Sequence, residues 1–315
     1  MTPVVSRAEL VEVLRPREVI QAIEEGFVAY SRGEVVVPPV GHLEFERPPG
    51  ECHIKYGFIR GDGNFVIKIA TGFFENPQRG LSSSNGVVLV WSSRTGELLA
   101  ILQDEGMLTD LRTAAAGAAA AKYLAPSKIE TIGVIGAGIQ AALQLEYLKE
   151  VTPCRKALVW ARSPERARAF RVEGFEIGIA GSPDELAEHS SLIVTATPSR
   201  SPHFRASSVH RGAHITALGA DGPGKQELDP ELFTHATVRA VDSRRQCAEY
   251  GDSSFAVRAG MIKPEHLIEL GQIVMDRELG RKHDREITIA DLTGVAVQDI
   301  QIAKLALRKL GLATD

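Results

Sequence analysis

Two lysines lie within apolar segments that are otherwise suited to burial, and they are the first residues here that suggest chemistry. Lys55 and Lys68 belong to two consecutive strand-like segments. A turn at Gly61-Asp62 would place the two side chains directly opposite each other, and a turn at Asp62-Gly63 would place them diagonally on one face. Because like charges so close destabilise a sheet, either a bound anion lies between them or both lysines protect an exposed edge strand.

Arg112 is a third cation that an anion would explain. The Ala-dense segment 108–125 predicts a helix with Thr109 as its N-cap, which places Arg112 in the first turn. A cation there opposes the helix dipole, at a cost of roughly a few tenths of a kcal/mol for an exposed side chain. An anionic ligand at the same helix end would remove that cost, so Lys55, Lys68 and Arg112 are candidate substrate-binding residues.

A glycine-rich turn follows the apolar segment 132–135. Residues 136–141, Gly-Ala-Gly-Ile-Gln-Ala, have the G-x-G-x-x-A pattern, and the segment behind them predicts a helix. In a dinucleotide-binding fold Gly136 permits the tight turn, Gly138 lets a pyrophosphate approach the backbone, and the helix N-terminus supplies N–H donors. The pattern therefore predicts a redox cofactor.

The position that selects between the two nicotinamide cofactors follows the next strand, about twenty residues beyond the glycines. NAD-selective folds carry a carboxylate there, whereas this chain has Arg162-Ser163. A guanidinium and a hydroxyl are suited to a 2′-phosphate, so this pair favours NADP(H) over NAD(H). The alternative is a surface arginine at a strand end.

Asp221 lies in a glycine-rich loop, residues 217–229, which follows another apolar strand. Ligands of open α/β folds bind at the edge of the sheet where such loops lie. Asp221 is therefore a candidate catalytic residue, which would accept a proton from a substrate ammonium or stabilise an iminium. A turn aspartate bonded to its own backbone is the alternative. Lys68 is the second catalytic candidate.

The composition limits the class of protein. The chain has 315 residues, a net charge of −4 and no apolar run near the ~20 residues that span a bilayer, which argues against nucleic-acid and membrane partners. Cys52, Cys154 and Cys247 are scattered, and no cysteine or histidine spacing predicts a metal site. With no visible signal peptide, we expect reduced thiols and a cytoplasmic location.

The elements that must position these residues form two groups. Residues 6–32 predict helices, beginning with a capping box at Ser6–Glu9. Strand-like segments follow at 52–58, 65–71, 86–91 and 97–102. From residue 132 onwards strands and helices alternate, which is typical of a parallel sheet. The predicted fold class is α/β, a Rossmann doubly wound parallel sheet plus a smaller α+β domain.

The chain resembles the ornithine cyclodeaminase/mu-crystallin family over nearly its whole length. The matching stretches are Ile67-Lys68 before Asn76-Pro77, 108–115, 135–140, 220–229 and 294–299. The resemblance implies a homodimer with a Rossmann domain, which we place at 116–296, and a substrate and dimerisation domain formed by 1–115 with 297–315. It also implies chemistry at the Cα–N bond of an amino acid, through an imine.

Carried over position by position, the resemblance assigns roles to individual residues. Lys68 and Arg112 match residues that hold the substrate α-carboxylate, and Asp221 matches the acidic residue that handles the amine. The 291–294 region matches the loop near the nicotinamide, and the glycine turn matches the pyrophosphate site. The cofactor-binding candidates are Gly136, Gly138, Ile139, Gln140, Arg162, Ser163, Thr195 and Thr293.

Three departures separate this chain from the family pattern. Val40 stands where many members have an arginine, so one carboxylate contact is missing. Lys55 stands where members commonly have a methionine, and it can replace that charge. The family's frequent Phe-Lys-Ser loop is replaced by Ala-Asp-Leu-Thr at 290–293, which changes the groups expected near the cofactor ring.

These features predict an NAD(P)H-dependent oxidoreductase that acts on the C–N bond of an α-imino or α-amino acid. A reductase takes hydride from outside, and the preference for NADP(H) favours that class. The first alternative is an NAD-dependent ornithine cyclodeaminase, which releases ammonia with no net redox change. The second is a non-enzymatic binder of small ligands, like mu-crystallin.

Overall fold

The computed structural model describes residues 1–73 and 75–312, which form two compact units. The first unit is Met1–Arg112 with the segment from Val295 onwards, and the second is Thr113–Gly294. The predicted domain boundaries, after residues 115 and 296, lie slightly further along the chain at both places. Each unit has its own sheet.

The elements are as follows. The strands are β1 (Val4–Ser6), β2 (Val35–Val36), β3 (Gly41–Glu46), β4 (Pro49–Ile59), β5 (Asn64–Phe73), β6 (Ser84–Ser92), β7 (Leu98–Gln103), β8 (Ile132–Ile135), β9 (Lys156–Trp160), β10 (Glu176–Ile179), β11 (Leu192–Thr195), β12 (His214–Ala217), β13 (Val238–Val241), β14 (Ile268–Glu269) and β15 (Thr288–Asp291). The α-helices are α1 (Arg7–Val13), α2 (Pro16–Ser31), α3 (Met107–Leu124), α4 (Ile139–Leu148), α5 (Pro164–Ala169), α6 (Pro183–Glu188), α7 (Leu232–His235), α8 (Arg244–Tyr250), α9 (Ser253–Arg258), α10 (Leu270–Met275) and α11 (Ala296–Lys309). Across residues 1–73 and 75–312, no helix combines the length and the apolar character needed to cross a membrane.

The sheet of the first unit has the order β1-β7-β6-β5-β4-β2, with β3 paired to β4, in the described part of the chain. Its pairings are antiparallel except for β1 with β7. Helix α11 packs against β4, β5 and α2, and it buries one face of the sheet. The capping box predicted at Ser6–Glu9 is present at the start of α1 and fixes where that helix begins.

The two faces of this sheet differ sharply in burial. Alternate residues on the helix-covered face are buried, among them Val66, Val88, Val90 and Leu102. The opposite face is also rich in apolar residues, but most of them stay partly or fully exposed. They include Val4, Leu43, Ile54, Tyr56, Phe58, Phe65, Ile67, Ile69, Leu89, Trp91 and Ile101.

The strand register places Lys55 directly opposite Lys68, as the turn at Gly61-Asp62 requires. Strands β4 and β5 both lie inside the sheet, and both lysines are buried on the helix-covered face. The alternative in which the two lysines protect an exposed edge strand is therefore wrong. Their charges must be compensated inside the protein or by a ligand.

The predicted N-cap of the helix that carries Arg112 is wrong. Helix α3 begins at Met107, where the carboxylate of Asp104 accepts a hydrogen bond of 2.9 Å from the backbone N–H of Leu108. Thr109 thus lies inside the helix and is not its cap. Arg112 belongs to the second turn, so the argument from the helix dipole does not apply to it.

The second unit is built on an eight-stranded parallel sheet, within the described residues, of order β10-β9-β8-β11-β12-β15-β13-β14. This arrangement confirms the predicted doubly wound parallel sheet. Strand β15 was not predicted, because residues 288–291 form only a short apolar segment that ends in Asp291 and was interpreted as the start of a turn. In the sheet it is an interior strand between β12 and β13.

Candidate functional site

A buried ionic cluster in the first unit unites two of the predicted substrate-binding residues. The Nζ atom of Lys68 donates a hydrogen bond of 2.8 Å to Oδ1 of Asp299, and Nε of Arg112 lies 3.4 Å from the same oxygen. Arg112 also donates from Nη1 to Oε1 of Gln298 at 2.8 Å. Lys68 and Asp299 are both only 2% exposed, so the pair is screened from water.

Three elements bring this cluster together. Lys68 extends from β5 towards α11, Arg112 comes from α3, and Asp299 and Gln298 lie in the first turn of α11. Lys55 is buried on the same face of the sheet, opposite Lys68. The sequence analysis did not single out Asp299. The signal that was present is a carboxylate on an otherwise apolar helix face, which calls for a buried cation as its partner.

The charges in the cluster shift one another's protonation. Burial lowers the pKa of Lys68 to about 8, even though Asp299 acts in the opposite direction. Burial alone would raise the pKa of Asp299, but the charges of Lys68, Arg112 and Lys55 hold it below its ordinary value. Burial raises the pKa of Asp104, which also interacts with Lys68. Among these five groups, three cations face two carboxylates.

Three buried polar atoms of these five groups lack hydrogen-bond partners among the residues that the structure describes. They are Nε of Arg112, Oδ2 of Asp299 and Oδ1 of Asp104. An unsatisfied buried donor or acceptor costs about 1–3 kcal/mol, so each position favours a ligand that supplies the missing partner. An anion with an adjacent N–H group, such as the carboxylate and amine or imine of an amino acid, has the matching chemistry.

The second unit contains a cavity of about 790 Å³ at the glycine-rich turn. Its lining includes Gly136, Gly138, Trp160, Arg162, Ser163, Arg166, Thr197 and His203. The turn has the geometry that a dinucleotide requires. Gly136 has φ +118°, where a Cβ atom would lie 2.9 Å from the carbonyl oxygen of Ala196, and a Cβ on Gly138 would meet nothing within 4 Å.

Helix α4 begins directly behind this turn with Gly138 as its N-cap, and no side chain caps it. Its first residue, Ile139, is 64% exposed, and Gln140 follows it. Uncapped N–H groups together with the positive end of the helix dipole suit a pyrophosphate. The residues at this turn therefore fit a dinucleotide cofactor.

Arg162 and Ser163, the two residues at the predicted cofactor-selectivity position, have different surroundings. The Ser163 hydroxyl caps α5 by accepting a hydrogen bond from the N–H of Arg166 at 3.3 Å, and it donates to Glu165 at 2.8 Å. The Ser163 hydroxyl thus makes its hydrogen bonds to residues at the start of α5. Arg162 and Arg166 both line the cavity, so the second arginine adds a cation that the sequence analysis did not identify.

The two predicted threonines lie at the ends of strands and bond inward. The hydroxyl of Thr195 donates to Oε2 of Glu227 at 2.7 Å, and that buried carboxylate also accepts the N–H groups of Thr197 and Gly219. The hydroxyl of Thr293 donates to Oδ1 of Asp242 at 3.0 Å. In this structure both hydroxyls hold loops in place rather than facing a ligand.

Asp221 belongs to the second unit, whereas Lys55, Lys68 and Arg112 belong to the first. Its side chain is half exposed and accepts a hydrogen bond of 2.7 Å from Nζ of Lys225. The two residues are four positions apart in the predicted glycine-rich loop. The role of Asp221 as a proton donor or acceptor stays a prediction.

The chain is similar to known proteins over nearly its whole length. The model of the ornithine cyclodeaminase/mu-crystallin family matches residues 1–310. An alanine dehydrogenase of Archaeoglobus fulgidus is 36% identical over 307 residues, covering 96% of this chain and 94% of that protein. An iminosuccinate reductase of Paracoccus denitrificans is 33% identical over 308 residues, covering 96% and 94%.

Solved structures of related enzymes also match nearly the whole chain. A Δ1-pyrroline-2-carboxylate reductase of Thermococcus litoralis in complex with NADH and L-proline is 32% identical, covers 100% of both chains and has a TM-score of 0.91. An archaeal alanine dehydrogenase dimer with bound NAD is 34% identical, covers 98% and 95%, and has a TM-score of 0.89. A lysine cyclodeaminase is 31% identical, covers 98% and 92%, and has a TM-score of 0.87.

Proposed function

Because the chain belongs to the ornithine cyclodeaminase/mu-crystallin family, we propose that it is an NAD(P)H-dependent reductase of an α-imino acid. The observation that carries this proposal is the buried cluster of Lys68, Arg112 and Asp299, in which cations outnumber carboxylates once Lys55 and Asp104 are included. Such a cluster is suited to a carboxylate that is withdrawn from water. Reductases of imino acids among the relatives support the same reaction.

The residues of this chain have separate roles in the proposed reaction. Lys68 and Arg112 bind the substrate carboxylate, with Lys55 as a further cation, and Asp299 holds the two long side chains in place. The nicotinamide, when bound, supplies the hydride. Asp221 stabilises an iminium or relays a proton to the nitrogen.

The proposed cofactor is NADP(H) in preference to NAD(H). The support is the pair of guanidinium groups of Arg162 and Arg166 in the cavity wall, where a 2′-phosphate would be bound. Related structures carry NAD or NADH, so the preference rests on these two arginines alone. We expect Arg162→Ala to raise the KM for NADPH by about tenfold or more and to leave that for NADH nearly unchanged.

The matched control for that variant is Arg168→Ala, an exposed arginine on α5, which begins two residues after Arg162, and Arg168 does not line the cavity. Arg166→Ala should behave like Arg162→Ala. Equal changes in the KM values for NADPH and NADH with Arg162→Ala would contradict the preference.

The proposed assembly is a homodimer formed through the apolar, half-exposed face of the first unit's sheet. Many apolar side chains on that face of the described residues stay partly or fully exposed, among them Leu43, Tyr56 and Trp91. A contiguous apolar surface of this kind marks an interaction site. The dimer formed by the archaeal alanine dehydrogenase supports a second copy as the occupant. The cytoplasmic location stays a prediction.

The deciding experiment measures oxidation of NADPH and NADH with a panel of imino acids, which includes a cyclic imino acid and those formed from pyruvate or oxaloacetate with ammonia. Ammonia release from ornithine and lysine is measured in parallel. We expect cofactor oxidation with at least one imino acid and its loss in Lys68→Met. Ammonia release without net cofactor turnover would identify a cyclodeaminase instead, and saturable binding of these acids with no turnover would identify a binding protein.

A further inference from the structure

A histidine pair lies on the hairpin formed by β3 and β4, outside the ionic cluster. His42 and His53 are directly opposite each other in the strand register, and their ring centroids are 4.8 Å apart. Residues two apart on a strand share a face, so Glu51 lies beside His53 on the same side of the hairpin. Its Oε2 atom is 3.4 Å from Nε2 of His53.

These three side chains have the chemistry and spacing of a metal site. One ligand atom from each of His42, Glu51 and His53 lies within 4.8 Å of the other two. Bonds of about 2.0–2.1 Å to a tetrahedral ion place ligand atoms about 3.3–3.5 Å apart. The Glu51–His53 distance already has this value, and small rotations of the exposed His42 ring bring the third ligand into range.

A second feature of the hairpin independently calls for a cation. Glu44 lies directly opposite Glu51 in the register, on the face that carries both histidines. Like charges directly opposite each other destabilise an antiparallel pair. A divalent ion at the histidine pair would compensate for this repulsion.

We propose that His42, His53 and Glu51 bind a divalent transition-metal ion, with Zn²⁺ as the best match. Two imidazoles and one carboxylate suit zinc, cobalt, nickel and copper more than the hard ions magnesium and calcium. Three protein ligands leave a fourth position for water. The sequence analysis predicted no metal site, because the two histidines are eleven residues apart and only the register of the hairpin brings them together.

The test is metal binding by the full-length chain after it has been stripped of metal with a chelator. Zn²⁺ is titrated in competition with a chromogenic chelator, and Co²⁺ serves as a spectroscopic probe of the coordination geometry. We expect one equivalent of Zn²⁺ per chain, bound to His42 and His53 with a tetrahedral Co²⁺ spectrum. His53→Ala and His42→Ala should each weaken binding by more than the roughly 10- to 100-fold cost of losing an outer partner of a metal ligand.

The matched control is His235→Ala, because His235 also has a glutamate partner, Glu231 at 4.0 Å, but no second histidine beside it in the described residues. That variant should bind Zn²⁺ like the wild type. Anomalous diffraction at the zinc edge from wild-type crystals locates the ion without any substitution. Absence of stoichiometric binding, equal binding by the wild type and both hairpin variants, or an ion located elsewhere would overturn the proposal.

Discussion

Asp299 is the residue on which the two buried cations depend. It is the shared partner of Lys68 and Arg112, and its own ionisation is maintained by their charges. Replacing it with a neutral group would leave two buried cations close together without their counter-ion. Removal of one partner from a buried ion pair is far more costly than the net value of the intact pair.

We therefore expect Asp299→Asn to lower the free energy of unfolding by about 3–5 kcal/mol, measured by urea denaturation. The matched control is Asp62→Asn, which removes the carboxylate partner of Lys304 on the same helix, α11, where both groups are partly exposed. That control should cost about 1 kcal/mol or less. Similar losses in the two variants would show that burial does not control the contribution of Asp299.

The lowered pKa of Lys68 predicts how carboxylate binding depends on pH. The ammonium form binds the carboxylate, so affinity should be greatest below the pKa of about 8 and should fall as the pH rises through it. Arg112 provides a second contact to the carboxylate, so binding is weakened rather than abolished. A carboxylate inhibitor without an amine, titrated by calorimetry between about pH 6.5 and 9.5, isolates this group.

Lys68→Met keeps the apolar stem but removes the charge. Loss of a charge-assisted hydrogen bond is worth about 1.5–3 kcal/mol, so the inhibitor should bind roughly 10- to 100-fold more weakly at neutral pH. Its affinity should then be nearly independent of pH over the same range, and cofactor affinity should be unchanged. A wild-type pH profile in this variant would exclude Lys68 as the titrating group.

At the scale of elements, the start of α3 sets the position of Arg112. The Asp104 carboxylate accepts the N–H of Leu108, and an N-cap contributes about 0.5–2 kcal/mol. Asp104→Ala should therefore lower the free energy of unfolding by that amount in urea denaturation. Asp104→Asn is the control, since asparagine caps as well as aspartate. If both variants lost the same stability, the charge of Asp104 would matter rather than its capping bond.

The elements also show which local features could be predicted from the sequence and which could not. The glycine turn at 136–138 and the shared face of Lys55 and Lys68 follow from local rules, since a turn and its flanking strands are contiguous in sequence. The choice between the direct and the diagonal register of the two lysines came only from the structure. The cap of α3 was misplaced because both Asp104 and Thr109 are plausible caps in this stretch, and only the path of the backbone chooses between them.

Contacts between residues that are far apart in the chain could not be predicted from the sequence. Asp299 is 231 residues from Lys68, and the inward bonds of Thr195 and Thr293 depend on Glu227 and Asp242. No spacing rule connects such pairs, because their meeting is a property of the whole fold.

For the whole molecule, the half-exposed apolar face of the first sheet predicts self-association. Tyr56→Lys places a charge on that face, and its cost in a desolvated interface should shift the dimer–monomer midpoint by about tenfold or more. Sedimentation or light scattering across a dilution series measures this change. Leu279→Lys is a matched control, because Leu279 has the same 39% exposure as Tyr56 but lies in the other unit. An unchanged midpoint for Tyr56→Lys would place the interface elsewhere.

The residue-by-residue pairing of β4 with β5 also limits how this hairpin can vary. Side chains alternate between the two faces, so a slip of one residue would turn Lys55 or Lys68 onto the apolar face and bury a hydrophobic side chain beside Asp299. The length of the turn after Ile59 and the geometry of the ion cluster therefore depend on each other. Changes in the length of this turn should be tolerated only when the loop absorbs them and leaves the pairing intact.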